Sequence, residues 1–234
     1  MLGGPFDLQL LNFCAALLLL LSFAMLAQRR IVTLVNFLAV QGALLFTATL
    51  LLAWRTGERH LYLSAALTLA LKVAFLPWLL HRLIRRLQVY WDTEPLLNIS
   101  GTMLAGLLVV VFAFGLAQPI SQLASTATRS SIGIAVAVVL LSFVTMITRR
   151  KAMSQVIGFL SMENGLFFGA MSATYGMPMI VELGIALDVL VAVLVLGIFF
   201  FQIREQFDSL DLHHLESLKE SHALEAVRAP EEDG

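Results

Sequence analysis

The sequence predicts an all-α, polytopic membrane protein of about seven transmembrane helices, grouped three, one and three. Three observations lead there. Of 234 residues, 59% are apolar and only 13% charged, with a mean hydropathy of +0.87. An ordinary soluble domain is about 45–50% apolar and about 25% charged. So few charges cannot cover this much apolar bulk with a water-facing surface, so the excess must face lipid. Next, seven stretches reach the roughly 20 apolar residues a spanning helix needs. Last, the basic residues fall mainly on one set of loops, eleven against three, with Lys72 inside a span. By the positive-inside rule this puts the N-terminus outside and the C-terminus in the cytoplasm. The composition excludes a soluble enzyme, a nucleic-acid binder and a disulfide scaffold; the lone Cys14 can form no intrachain disulfide.

The spans fall near 6–27, 31–54, 60–81, 96–117, 129–148, 152–174 and 178–203. Met1 to Gln9 carries no Lys or Arg, and the first apolar run stops at Arg29-Arg30. That stretch is therefore expected to be a span rather than a cleaved signal peptide. Pro95 and Pro178 suit first-turn positions, and Pro119 is expected just past the end of the fourth span. Pro77 falls inside the third and should kink it near the cytoplasmic end. Trp54, Trp78, Tyr90 and Trp91 lie near span ends, where an aromatic belt forms. The units are then 1–95, three helices; 96–128, a connecting helix and outer loop; 129–203, three helices; and 204–234, an acidic cytoplasmic tail. The tail carries nine acids against three bases, and its leucines at helical spacing suggest docking on a partner protein.

Two segments look alike: RRIVTLVNFLAVQGALLF from Arg29 and RRKAMSQVIGFLSMENGLFF from Arg149. Aligned from Phe37 and Phe159, they set Gln41 opposite Glu163. Each opens the second span of a three-span unit, so an internal, parallel repeat is expected.

Glu163, Glu182, Asp188 and Lys72 all fall inside predicted spans. At about 1.5 Å per residue, Glu163 is roughly 18 Å from Lys151 and Asp188 roughly 15 Å from Pro178. Lys72 is also central, and Glu182 is nearer the outer face. A charge at such depth costs about 2.5–3.5 kcal/mol, so four of them call for a reason. A relay or ion pathway is one reading; a structural acid bonded to a neighbouring helix, or paired with Lys72, is the other. Glu182 and Asp188 are about 120° apart around their helix, so they could serve successive steps but not one partner group. Gly165 and Gly169 form a small-xxx-small face suited to close helix packing. His213, His214 and His222 read as a solvated face, and no haem, quinone or nicotinamide site is legible.

Residues 131–203 resemble the three-helix K-type subunit of respiratory complex I and the corresponding subunit of Mrp-type antiporters. The likeness rests on Thr-Arg-Arg at 148–150, GFLSMENG around Glu163, and ALDVLVAVLVLG with Asp188. The whole chain, with its extra N-terminal spans, its Val-Glu-Leu-Gly followed by Leu-Asp, and its acidic tail, is similar to the hydrogenase-4 component E family. That family accompanies membrane-bound NiFe hydrogenases and formate hydrogenlyase-like complexes. The resemblance implies a non-catalytic subunit in a bacterial cytoplasmic (inner) membrane, beside antiporter-like and other membrane subunits. It implies Ni-Fe and Fe-S centres in those partners and no cofactor in this chain. Glu163 would then be a proton carrier. Asp188 takes the position where the complex I family has a second glutamate, Glu182 is additional, and Gln41 lacks the carboxylate. The relay expected from residues and resemblance together is Glu163, Asp188, Glu182 and Lys72. A scaffold subunit of such a complex, or of an Mrp-type antiporter, and a stand-alone transporter are the alternatives.

Overall fold

Inside a bilayer each backbone N–H and C=O must be paired within the chain, so an apolar run of some twenty residues has the helix as its solution. In the computed structural model these runs are helical: α1 Pro5–Ala27, α2 Ile31–Thr56, α3 Arg59–Thr68, α4 Leu76–Leu87, α5 Ile99–Leu123, α6 Arg129–Thr148 and α7 Ala152–Thr174. A π-helical segment, Leu69–Phe75, joins α3 to α4. The structure describes residues 5–57, 59–87, 98–123 and 129–174, with positions 184, 186, 187, 189–191, 193 and 197. Among these there is no strand, and six stretches are long and apolar enough to cross a membrane: Gln9–Ala27, Ile31–Thr56, Leu61–Arg86, Ile99–Pro119, Ser131–Thr148 and Ala152–Thr174. The chain is a multi-pass membrane protein. The seventh span expected at 178–203 is helical at its described positions. Glu182, Asp188 and the tail 204–234 lie outside the described residues.

Pro119 departs from the sequence expectation, and Pro77 disrupts its span in a form the sequence did not specify. Pro119 lies within α5, which runs on to Leu123. Its ring offers no N–H to the Gly115 carbonyl four residues earlier, so α5 runs its last turn without that bond. Pro77 was expected to kink a continuous third span. The turn before it widens: the Leu76 N–H reaches back five residues to the Leu71 carbonyl. Proline has no N–H for the Val73 carbonyl four residues earlier, and its ring would collide with it. A wider turn relieves both, and such bulges recur at functional sites.

Helices α1, α2, α6 and α7 pack around a shared core. It is filled by Ala15 and Leu18 of α1, Leu45 and Ala48 of α2, Ala135 and Val138 of α6, and Phe167, Phe168 and Met171 of α7. Helix α5 lies outside, against α1 and α6, with Leu104, Leu108, Val111 and Phe112 exposed on its far side. The α3–α4 span packs on α2. Gly57 makes that return possible: it takes φ 70° at the end of α2 while its N–H bonds the Ala53 carbonyl at 2.9 Å, a left-handed cap that glycine adopts without strain.

The α6–α7 seam is close. A Cβ added at Gly165 would lie 2.8 Å from Val138, and one at Gly169 would lie 2.9 Å from Ala135. The small-residue face expected from the sequence is thus the face that meets α6. At the turn between these helices, Arg149 is 3% exposed. Its Nη2 donates to the carbonyls of Met25, Leu26 and Gln28 at 2.5–3.2 Å. The last carbonyls of a helix have no partner within it, and here a cation from another hairpin supplies one.

Candidate functional site

The buried lysine and glutamate of the described residues meet at one place. Lys72 projects from the π-helical segment, and its Nζ lies 2.6 Å from Glu163 Oε1 of α7. The two residues are 3% and 2% exposed. Nζ also donates to Asn164 Oδ1 at 3.0 Å and sits 5.3 Å from the Phe167 ring centroid, within range of a cation–π attraction. From Asn164 the bonds continue into the first two helices. Asn164 Nδ2 approaches Gln41 Oε1 at 3.4 Å, Gln41 Nε2 donates to Ser22 Oγ at 2.9 Å, and Ser22 Oγ donates to the Leu18 carbonyl at 2.9 Å. Every side chain in this chain of bonds is buried.

The backbone explains how a lysine reaches so deep a partner. A Cβ on Gly42 would stand 3.0 Å from Lys72 Cβ and 3.1 Å from its carbonyl oxygen. With hydrogen there instead, α2 and the widened turn come into direct contact, and the lysine stem passes α2 toward α7. Gly42 follows Gln41 in sequence, so one turn of α2 provides both a polar group and the clearance beside it. Ion pairing in a low-dielectric interior offsets desolvation only when the geometry is good and further hydrogen bonds are made. Around Lys72, Asn164 supplies one such hydrogen bond and the Phe167 ring adds a cation–π contact.

Of the residues the sequence singles out, the structure brings Glu163 and Lys72 into contact; Glu182 and Asp188 are outside the described residues. Position 184 touches the site's edge, since a Cβ on Gly184 would meet the Phe167 ring at 2.6 Å. Gln41, singled out only as the uncharged counterpart of Glu163, belongs to the same bonded chain. Asn164 and Ser22 were missed. Ser22 is the one polar residue between Ala15 and Ala27, and that isolation was the available signal. Among the described residues no three of His, Cys, Asp and Glu gather as a metal site would require.

Comparison with known proteins places the chain in a family. It is 36% identical over 212 residues to the uncharacterized protein Rv0085 of Mycobacterium tuberculosis, covering 90% of this chain and 96% of that one. It is 23% identical over 211 residues to hydrogenase-4 component E of Escherichia coli (strain K12), covering 90% and 98% respectively. The corresponding protein of Shigella flexneri gives the same values. No family model matches the chain, and no solved structure does. The chain belongs to the family of Rv0085 and is a distant homologue of hydrogenase-4 component E.

Proposed function

Proceeding from that kinship, we propose that the chain is a membrane subunit of a complex I-like, membrane-bound hydrogenase, and that the Lys72–Glu163 pair carries protons within it. End-to-end alignment with component E supports the first part. The second rests above all on one observation: a lysine and a glutamate, both buried, joined by a single 2.6 Å hydrogen bond. Moving one proton along that bond turns an ion pair into a neutral pair. In a dry interior the balance between the two forms is set by nearby charge and polarity. The pair would respond as a unit rather than as two independent groups, so a charge change in an adjoining subunit could release or recapture its proton.

In this reading Asn164 and Gln41 hold Lys72 in register, and the π-helical turn sets its reach. Glu182 and Asp188 would extend the route toward the outer face. The redox chemistry, with its Ni-Fe and Fe-S centres, would belong to partner subunits, among them antiporter-like ones. The eleven-to-three distribution of basic residues supports a cytoplasmic C-terminus, and kinship with component E of Escherichia coli supports a bacterial inner membrane.

The test is purification of the tagged full chain from its native membrane, with identification of what accompanies it. The expected result is a complex containing other polytopic subunits and a nickel-bearing soluble module. Recovery of this chain alone would contradict the reading and favour a stand-alone transporter. A complex of antiporter-like subunits without nickel would favour an Mrp-type assembly.

A further inference from the structure

Helix α4 has a face the relay does not use. It buries Leu76, Leu79, Leu80, Leu83 and Ile84. Its other side carries Trp78, Arg82, Arg85 and Arg86, which line a cavity of about 290 Å³. At about 30 Å³ per water in the liquid, that is room for roughly ten waters, enough for a phosphodiester head. The Arg82 guanidinium stands 5.4 Å from the Trp78 ring, so an aromatic face holds one wall of the cavity in place. The Phe75 ring lies 6.4 Å from Trp78, and both rings are exposed. At about 1.5 Å per residue, Phe75 is roughly 10 Å deeper along the span than Arg82.

The face therefore has two levels, guanidinium groups at the end of the span and aromatic rings toward its interior. A free anion would use only the first. A lipid with an anionic head uses both, its phosphate meeting planar donors that bind phosphate bidentately and its acyl chain lying along the rings. We propose that Trp78, Arg82, Arg85 and Arg86 form a binding site for the phosphate of an anionic membrane phospholipid. The inference is independent of the hydrogenase reading.

The test uses purified full-length chain in detergent, incubated with phosphatidylglycerol or phosphatidylcholine of identical acyl chains, with retained lipid counted by native mass spectrometry. Each basic residue near an anionic partner contributes about a fivefold factor. Wild-type chain should therefore retain phosphatidylglycerol at least about tenfold more than phosphatidylcholine. The combined Arg82→Gln, Arg85→Gln and Arg86→Gln variant should retain the two equally, while Arg55→Gln, at the other end of the bundle, should behave as wild type. If the triple variant elutes as aggregate, Arg82→Gln and Arg86→Gln alone should each reduce the preference several-fold. Equal retention by wild type, or an undiminished preference in the arginine variants, would overturn the proposal. So would stabilisation by inorganic phosphate without any lipid preference, which would assign the cavity to a soluble anion.

Discussion

The hairpins α1–α2 and α6–α7 are built alike and equipped differently. In each, three residues separate the helices: Gln28, Arg29 and Arg30 in one, Arg149, Arg150 and Lys151 in the other. Each is bridged by a side-chain hydrogen bond between residues nineteen apart, Gln41 to Ser22 at 2.9 Å and Ser142 with Ser161 at 2.7 Å. The differences lie in charge. The first hairpin brings an amide to the centre of the bundle, and the second brings Glu163 and Asn164. Arg29 and Arg30 are exposed, whereas Arg149 turns inward and caps α1. The cation beside Glu163 comes from neither hairpin but from the span that follows the first. A charge pair assembled across two units can couple movements of one to the protonation of the other.

Separating the pair should produce the largest effect. Lys72→Met leaves a buried carboxylate without its cation and should destabilise the chain by about 3–5 kcal/mol, whereas Lys72→Met with Glu163→Leu should recover most of that. Thermal unfolding of the full chain in detergent measures both, and a double variant no better than the single would show the pair to be energetically unimportant. Arg149→Gln comes next. Stranding the terminal carbonyls of α1 should cost about 2–3 kcal/mol, with faster hydrogen exchange confined to the end of α1.

These expectations also mark what was legible in advance. The limits of α6 and α7 were readable because apolar length and an Arg-rich stop are local signals. That Lys72 and Glu163 lie within apolar helices was readable for the same reason. Their meeting was legible only as the structural alternative, an acid paired with Lys72, without saying which acid: the two are 91 residues apart, and contact depends on how far α2 lets the third span approach. Pro77 announced a disruption, but its form depends on what packs against it, and that is Gly42. Arg149 was counted with the interfacial charges because nothing near it in sequence shows that the end of α1 lies within reach.

Smaller perturbations sharpen the contrast between hairpins. Gly42→Ala should push α2 from the widened turn and cost about 1–2 kcal/mol, in keeping with overpacking of a filled core. It should also weaken the Lys72–Glu163 contact, so a double-mutant cycle with Glu163→Gln should reveal coupling. The cross-hairpin bonds should matter least. Gln41→Leu and Ser142→Ala are each expected to cost only about 0.6–1 kcal/mol, the scale of interhelical hydrogen bonds in membranes. Gln41→Leu should be the larger because it also removes the acceptor for Asn164.

The proposed proton-carrying role is tested most directly by hydrogen-driven proton movement in membrane vesicles containing the proposed complex, assembled with Glu163→Gln. That variant keeps the shape and a hydrogen-bond acceptor for Lys72 while abolishing the exchangeable carboxyl proton. Subunit composition should be unchanged, and transport per hydrogen oxidised should fall at least about tenfold, a barrier increase of about 1.4 kcal/mol. Wild-type transport in a fully assembled Glu163→Gln complex would contradict the account and leave the pair a structural brace.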